Sequence, residues 1–401
     1  MKLAFDNQGK YALVAFLLSL ADWIATAFLL VELYRFAKSP VILALFPFLF
    51  FLPPLIVNGL PLRLSNLIEK RKYLAICLFV ISILNVGLGL SSVLGVLGIL
   101  TIFIIRLCYG VVQAFYRPVS KAYAVRISDE GDEADSLFRK QIGETLGFLV
   151  SLGIGLAFAK VSESPTMPLL FTGLLTLIAA AVQLQMDSEE ENISKPNQKS
   201  IGWFFVEIGK SLQATNMRQG MGFLILVSIL GAAIGRLSNY TFLAFLGDSF
   251  SASELQETYL SMRLVAVTSF VFALCWILLK KLHLRPGFLK PEWIVVSSIS
   301  ASVVLTILAF FTAKSFLFVA FSSWWVLFNI GGVSVLLRIQ KLEIRDNKSG
   351  EYFVLESMAR SIVPIVVLLG AIIASYLGAQ VALSVLGLSG GLAYWLVWRK
   401  S

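Results

Sequence analysis

The sequence predicts an all-α, polytopic membrane protein with twelve transmembrane helices. Hydrophobic residues make up 58% of the 401 residues and charged residues only 14%, and the mean hydropathy is +0.83. Soluble proteins are far less apolar. The apolar runs reach the roughly 20 residues that a membrane-spanning helix needs. They lack the alternation of barrel strands, and backbone groups in lipid must be hydrogen-bonded within their own segment. The spans are therefore predicted to be helices.

Twelve spans place both termini on the same side of the membrane. They cover residues 11–31, 41–60, 73–92, 96–116, 140–160, 166–186, 219–246, 256–280, 292–312, 316–337, 352–374 and 379–398. Most of the 33 basic residues fall in loops on the side of the termini, whereas the opposite loops hold only Arg35, Lys38, Lys160 and Lys314. The positive-inside rule then predicts cytoplasmic termini. The expected location is the cytoplasmic (inner) membrane of a bacterium.

The same distribution explains the net charge of +9 without a nucleic-acid partner, since the basic residues mark topology and attract anionic lipid. The three cysteines, Cys77, Cys108 and Cys275, have no paired spacing, so we expect neither a disulfide nor a metal site. There is no Gly-x-x-x-x-Gly-Lys-Ser/Thr loop for a nucleotide. We therefore expect no cofactor and no enzymatic activity.

Two halves are predicted, joined by one hydrophilic linker. Residues 1–186 form an N-terminal six-helix bundle and residues 219–401 a C-terminal one. The cytoplasmic linker at 187–218 holds an amphipathic helix on the membrane surface, with its apolar face formed by Ile201, Phe204, Phe205, Ile208 and Leu212. A shift of 216 residues aligns the halves weakly and places Glu144 opposite Arg360. Within the fifth span, glycines at 143, 147, 153 and 155 are expected to let neighbouring helices approach closely.

Charges inside the spans are the main candidates for function. Asp22 and Arg236 lie near the middle of the first and seventh spans, where each costs about 2.5–3.5 kcal/mol unless it faces water or a partner. Arg106, Arg263 and Glu144 lie in the fourth, eighth and fifth spans. For each of them, a helix-packing ion pair without substrate contact is the alternative interpretation.

One further pair of charges has a structural interpretation. Glu356 and Arg360 are spaced i, i+4 in the eleventh span and are predicted to form a structural ion pair.

The six-plus-six organisation and several short motifs resemble the major facilitator superfamily. Arg106-Leu-Cys-Tyr-Gly110 is similar to its Arg-x-x-x-Gly motif in the fourth helix, and Ala114, Phe115 and Pro118 extend it to the pattern of the lysophospholipid-transporter-like and enterobactin-exporter-like branches. The matches that lean toward the lysophospholipid branch are Glu144, Arg236 and Thr258-Tyr259-Leu260; Ser19-Leu-Ala-Asp22 is common to both branches.

The loop after the second span departs from this family. Asn66 and Leu67 stand where the superfamily has aspartate and arginine, which weakens the charge relay that the family motif provides. The fifth span has Gly147-Phe148 instead of the Gly-Pro pair of drug antiporters.

The resemblance implies that Asp22, Arg106 and Arg236 line a central cavity, where Asp22 and Arg236 are predicted to form a substrate-sensitive ion pair. The predicted function is alternating-access transport, by a monomer, of a small amphipathic, anionic or zwitterionic solute such as a lysophospholipid. Two alternatives stay open. One is proton-coupled export of a siderophore or hydrophobic metabolite, with Asp22 or Glu144 as the proton carrier. The other is a non-transporting membrane scaffold or receptor.

Overall fold

The structure, a computed structural model, describes residues 6–57, 69–126, 133–161, 164–186, 257–265 and 351–378, with isolated positions elsewhere in the second half. The chain divides into two compact units. The first comprises Met1–Ala37, Leu49–Gln198 and Ala252–Leu260, and the second Lys38–Phe48, Lys199–Ser251 and Ser261–Ser401. The predicted boundaries at 186 and 219, and the linker helix between them, lie outside the described residues.

Every element in the described ranges is a helix. The helices are α1 (Asn7–Ala37), α2 (Pro40–Val57), α3 (Lys70–Val93), α4 (Ile99–Arg126), α5 (Glu133–Val161), α6 (Thr166–Leu184) and α7 (Glu351–Leu377). Within the described residues, five segments are long and apolar enough to cross a membrane: Asn7–Ala37, Lys70–Val93, Ile99–Arg117, Ile142–Val161 and Thr166–Leu184. They coincide with five of the first six predicted spans.

The helix ends differ from the predicted span ends. The α1 helix begins earlier because the Asp6 side chain caps it, accepting a hydrogen bond from Gly9 N–H at 2.7 Å. The fourth span, predicted to begin near residue 96, begins at Ile99 as α4. The preceding turn closes α3 with Gly95 at φ 69° and hydrogen bonds from Gly95 to Ser92 O and from Val96 to Ser91 O. Such a turn requires a left-handed residue, which glycine supplies without strain.

Close helix contacts explain two of the four glycines of the fifth span. The α1 helix packs most extensively against α5, and α3 against α6. A Cβ atom added at Gly143 or Gly147 would collide with the backbone oxygens of Ala12 and Phe16 of α1. The prediction is wrong for Gly153, because it is exposed and a Cβ there would meet nothing within 4 Å.

Hydroxyl groups join the helices at these contacts. Ser19 Oγ of α1 donates to Glu144 O of α5 at 2.7 Å. In the other helix pair, Ser82 Oγ of α3 donates to Gly173 O of α6, also at 2.7 Å. Side-chain hydrogen bonds of this kind and small residues, rather than a hydrophobic driving force, associate helices in lipid. These contacts join α1 to α5 and α3 to α6 within the first compact unit.

Candidate functional site

Asp22 of α1 has a charged partner on α4. Arg106 Nη1 donates to Asp22 Oδ1 at 3.3 Å. The arginine side chain is 10% exposed and the carboxylate 27%. A charge-assisted N–H···O bond is usually 2.7–2.9 Å long, so this contact is a loose one. The structure thus brings together two of the predicted site residues and leaves the carboxylate partly accessible.

The Arg106 guanidinium also lies on aromatic surface. Its central carbon is 4.3 Å from the centroid of the Phe50 ring and 5.2 Å from that of Tyr109. Phe50 comes this close because α4 has Gly110 at the crossing with α2, where a Cβ would lie 2.6 Å from Phe50 O. Phe50 and Tyr109 are buried in a small apolar cluster with Ile81. The cation is therefore held by ring faces as well as by the carboxylate.

A second arginine contacts the same ring. The guanidinium carbon of Arg117 lies 5.0 Å from the Phe50 centroid and 5.8 Å from that of Phe51. Its Nε donates to Gln113 Oε1 at 3.1 Å. Arg106, Gln113 and Arg117 share one face of α4, because spacings of i, i+7 and i+11 return to the same side of a helix.

Sequence reasoning did not include Arg117 among the candidates because hydropathy alone places it in the loop after the fourth span. Two features of the sequence could have indicated it. One is its i+11 spacing from Arg106. The other is the aromatic run in the second span, with Phe46, Phe48, Phe50 and Phe51.

Glu144 has a separate partner on its own helix. Lys140 Nζ lies 3.6 Å from Glu144 Oε1, and the Glu144 side chain is 42% exposed. The same ammonium is 6.0 Å from the Tyr11 ring, and the Tyr11 hydroxyl contacts Ser120 O at 2.8 Å. These contacts tie α1, α4 and α5 together near their predicted cytoplasmic ends. A gating or binding role of Glu144 stays a prediction.

An ion-pair cluster lies at the start of α3. Glu69 contacts Lys72 Nζ at 2.8 Å and Arg71 Nη2 at 2.7 Å. The hydrogen bond from Lys72, supported by the charge of Arg71, holds the pKa of the Glu69 carboxyl below its ordinary value of 4.5. Arg71 Nη1 also donates to Met186 O at 2.6 Å. Asn66 and Leu67 lie outside the described residues.

The remaining predicted site residues belong to the second half of the chain. Arg236 lies outside the described residues, so its pairing with Asp22 stays a prediction. Arg263 lies in the helical stretch 257–265 and is 2% exposed. Glu356 and Arg360 both lie on α7, but their side chains are not among those described. Their structural pairing also stays a prediction.

Comparison with known proteins identifies the fold of the chain. No protein-family model matches the chain, and no curated protein sequence does either. Solved structures match it over almost its whole length. The nucleoside transporter NupG aligns with a TM-score of 0.70 at 14% identity, covering 98% of this chain and 99% of NupG. The chain has the major facilitator fold.

A second solved structure supports the same assignment. It is a bacterial homologue of the human lysosomal transporter Spinster. In its inward-facing, unoccupied conformation it aligns with a TM-score of 0.68 at 13% identity, covering 100% of this chain and 98% of that one. In its occupied conformation the TM-score is 0.70 at 12% identity, covering 98% and 96%. The predicted all-α, polytopic fold is thus confirmed, whereas the narrower lysophospholipid or enterobactin branch stays a prediction.

Proposed function

We propose that the protein is a secondary transporter that moves a small amphipathic solute with an anionic or zwitterionic head group by alternating access. The observation that carries the proposal is the loose Asp22–Arg106 pair on the Phe50 ring, within a membrane-spanning bundle. Buried charges in lipid are retained where they serve a polar pathway. The two solved structures compared above are of transporters, which supports transport rather than catalysis. The proposed location is the bacterial inner membrane, with both termini cytoplasmic.

The local charge favours an anionic group on the solute. Two guanidinium groups, of Arg106 and Arg117, contact one phenyl ring, and Asp22 is the described carboxylate that pairs with Arg106. A solute phosphate or carboxylate can take the place of Asp22, since bidentate geometry makes an arginine–phosphate contact stronger than the single 3.3 Å contact observed. The aromatic surface of Phe50, Phe51 and Tyr109 suits an apolar body. A lysophospholipid combines both features.

Proton-coupled export of a siderophore or hydrophobic metabolite is the second candidate. The carboxylates of Asp22 and Glu144 support it, because each is paired with a cation and they are 27% and 42% exposed. A carboxylate that exchanges between a cation and a proton can couple transport to a proton gradient. A non-transporting scaffold or receptor is the third candidate, and it predicts no flux.

Vesicle assays separate these candidates. The full chain is reconstituted into liposomes, and a fluorescent lysophospholipid is followed by albumin back-extraction, which removes label from the outer leaflet only. Uridine serves as an uncharged test solute, because NupG is a nucleoside transporter. We expect lysophospholipid movement without a proton gradient and no uridine uptake. Movement that requires the gradient would support the exporter, and uridine uptake or the absence of any flux would overturn the proposal.

Matched variants connect the flux to the site. Asp22→Asn and Arg106→Gln are expected to reduce lysophospholipid movement strongly. Glu32→Gln is the control, because Glu32 is a buried carboxylate of the same helix that pairs with Arg35 at 2.7 Å, away from the Phe50 ring. Equal loss in all three variants would indicate general damage to the bundle and contradict a specific role of the Asp22–Arg106 pair.

A further inference from the structure

We propose that Arg117, Gln113 and the faces of Phe50 and Phe51 form a second anion-binding site, called here the Arg117 site. It would hold the phosphate or carboxylate head group of the solute before that group reaches Arg106. This inference rests on the proposed function and deepens it, because it assigns the head-group chemistry to a residue other than the Asp22–Arg106 pair.

The partners of Arg117 are weak and exchangeable. In the described part of the chain, its contacts are the Gln113 side-chain oxygen at 3.1 Å and the two phenyl rings. No described carboxylate pairs with it. A neutral amide and ring faces hold a guanidinium less strongly than a phosphate or carboxylate does. An anion that reaches Arg117 therefore gains a cation without first breaking an ion pair.

The guanidinium of Arg117 contacts the Phe50 ring although the residue lies at the end of its span. Arg117 is the last residue of its apolar, membrane-spanning segment, and a long basic side chain at such a place ordinarily extends toward the head groups. Here it folds back to Phe50, which lies about two turns before Val57, the last residue of α2. The residue is nevertheless exposed, so its charge lies at the Phe50 ring and stays accessible to a solute.

Arg117 and Arg106 can bind the head group one after the other, because both guanidinium groups contact the Phe50 ring. The guanidinium carbon of Arg106 is 4.3 Å, and that of Arg117 5.0 Å, from the Phe50 centroid. The distance between the two guanidinium carbons cannot exceed the sum of these two distances. A head group that moves from one arginine to the other therefore stays close to a positive charge. Gly110 makes the arrangement possible by admitting the α2 backbone between them.

Transport kinetics from one side test the Arg117 site. In inside-out vesicles, which present the predicted cytoplasmic face, the lysophospholipid is supplied externally and KM and maximal rate are measured separately. We expect Arg117→Gln to raise KM roughly tenfold, the loss of one charge-assisted contact, with little change in maximal rate. Arg117→Lys should recover the KM only in part, because lysine keeps the charge but lacks the planar fork.

The control removes a positive charge on the same face of the membrane but away from the ring. Arg139 is 45% exposed and lies 3.8 Å from Asp6. Arg139→Gln should leave KM unchanged, whereas an equal rise in this variant would show a general surface-charge effect and overturn the site. An unchanged KM in a monodisperse, folded Arg117→Gln protein would also overturn it, while leaving the proposed transport intact.

A binding assay decides the question if the wild-type protein moves no lysophospholipid. Dodecyl phosphate is titrated into the detergent-solubilised full chain by calorimetry. Saturable binding that weakens roughly tenfold in Arg117→Gln, and not in Arg139→Gln, supports the Arg117 site even when the transport proposal fails. Equal binding to wild type and Arg117→Gln refutes it.

Discussion

Removing the negative charge at Asp22 should destabilise the bundle by leaving the buried Arg106 cation without its carboxylate. At 3.3 Å, the gross Coulomb energy of two unit charges is about 5 kcal/mol at an effective dielectric constant of 20 and about 1 kcal/mol in water. Breaking a fully buried pair by removing one partner costs about 3–5 kcal/mol. Because the Asp22 side chain is 27% exposed and asparagine retains an acceptor oxygen, we expect a loss of about 2 kcal/mol for Asp22→Asn.

A double-mutant cycle measures this value. Unfolding is followed in mixed micelles by titration with sodium dodecyl sulfate, using the fluorescence of the 8 tryptophans. Asp22→Asn and Arg106→Gln are each expected to destabilise the protein, and the double variant should recover part of the loss because no unpaired charge remains. Transport should not recover in the double variant, since the binding cation is gone.

Additivity is the outcome that would refute the reasoning. If the two single losses sum in the double variant to within about 0.5 kcal/mol, the side chains do not interact directly. The pair Glu32 and Arg35, at 2.7 Å, provides a reference cycle on the same helix. It should show coupling whether or not the Asp22–Arg106 pair does.

Three further predictions concern packing, pH and the second half of the chain. Gly147→Ala should lower stability by collision with α1, whereas Gly153→Ala, with open space at its Cβ, should be neutral or stabilising by up to about 1 kcal/mol; equal effects in unfolding titrations would contradict the close contact. Because the pKa of Glu69 is lowered in the folded protein, its stabilising contribution is present above pH 4.5 and is lost as the pH falls through the folded pKa. The melting temperature of Glu69→Gln should therefore be below wild type at pH 7, and the difference should shrink as the pH falls below 4.5. A difference that does not change with pH would argue otherwise. Finally, exchanging the charges of Asp22 and Arg236 should restore some of the transport lost in the single variants, and no recovery would count against direct pairing.

Hydropathy and charge predicted the fold class because both act locally along the chain. An apolar run of span length forms a helix in lipid whatever its neighbours are, and five of the predicted spans appear at their expected positions. The ends were less predictable. Hydropathy marks the part of a helix that lipid surrounds, whereas the helix itself can extend beyond that part, as α4 does to Arg126. The turn at Gly95 shortened the same helix at its other end.

For the candidate functional residues, too, one part follows from the sequence and another depends on how the helices pack. That Asp22 and Arg106 must each be paired or hydrated follows from sequence alone, since an isolated charge is costly in a membrane. The sequence does not show which charge pairs with which. Asp22 and Arg106 are 84 positions apart and come into contact only where α1 and α4 pack. The same holds for Phe50, whose place between Arg106 and Arg117 depends on the backbone contact at Gly110. The sequence alone determined that the chain spans a membrane and carries charged residues within its spans. Helix packing alone decided that two arginines contact the same aromatic ring.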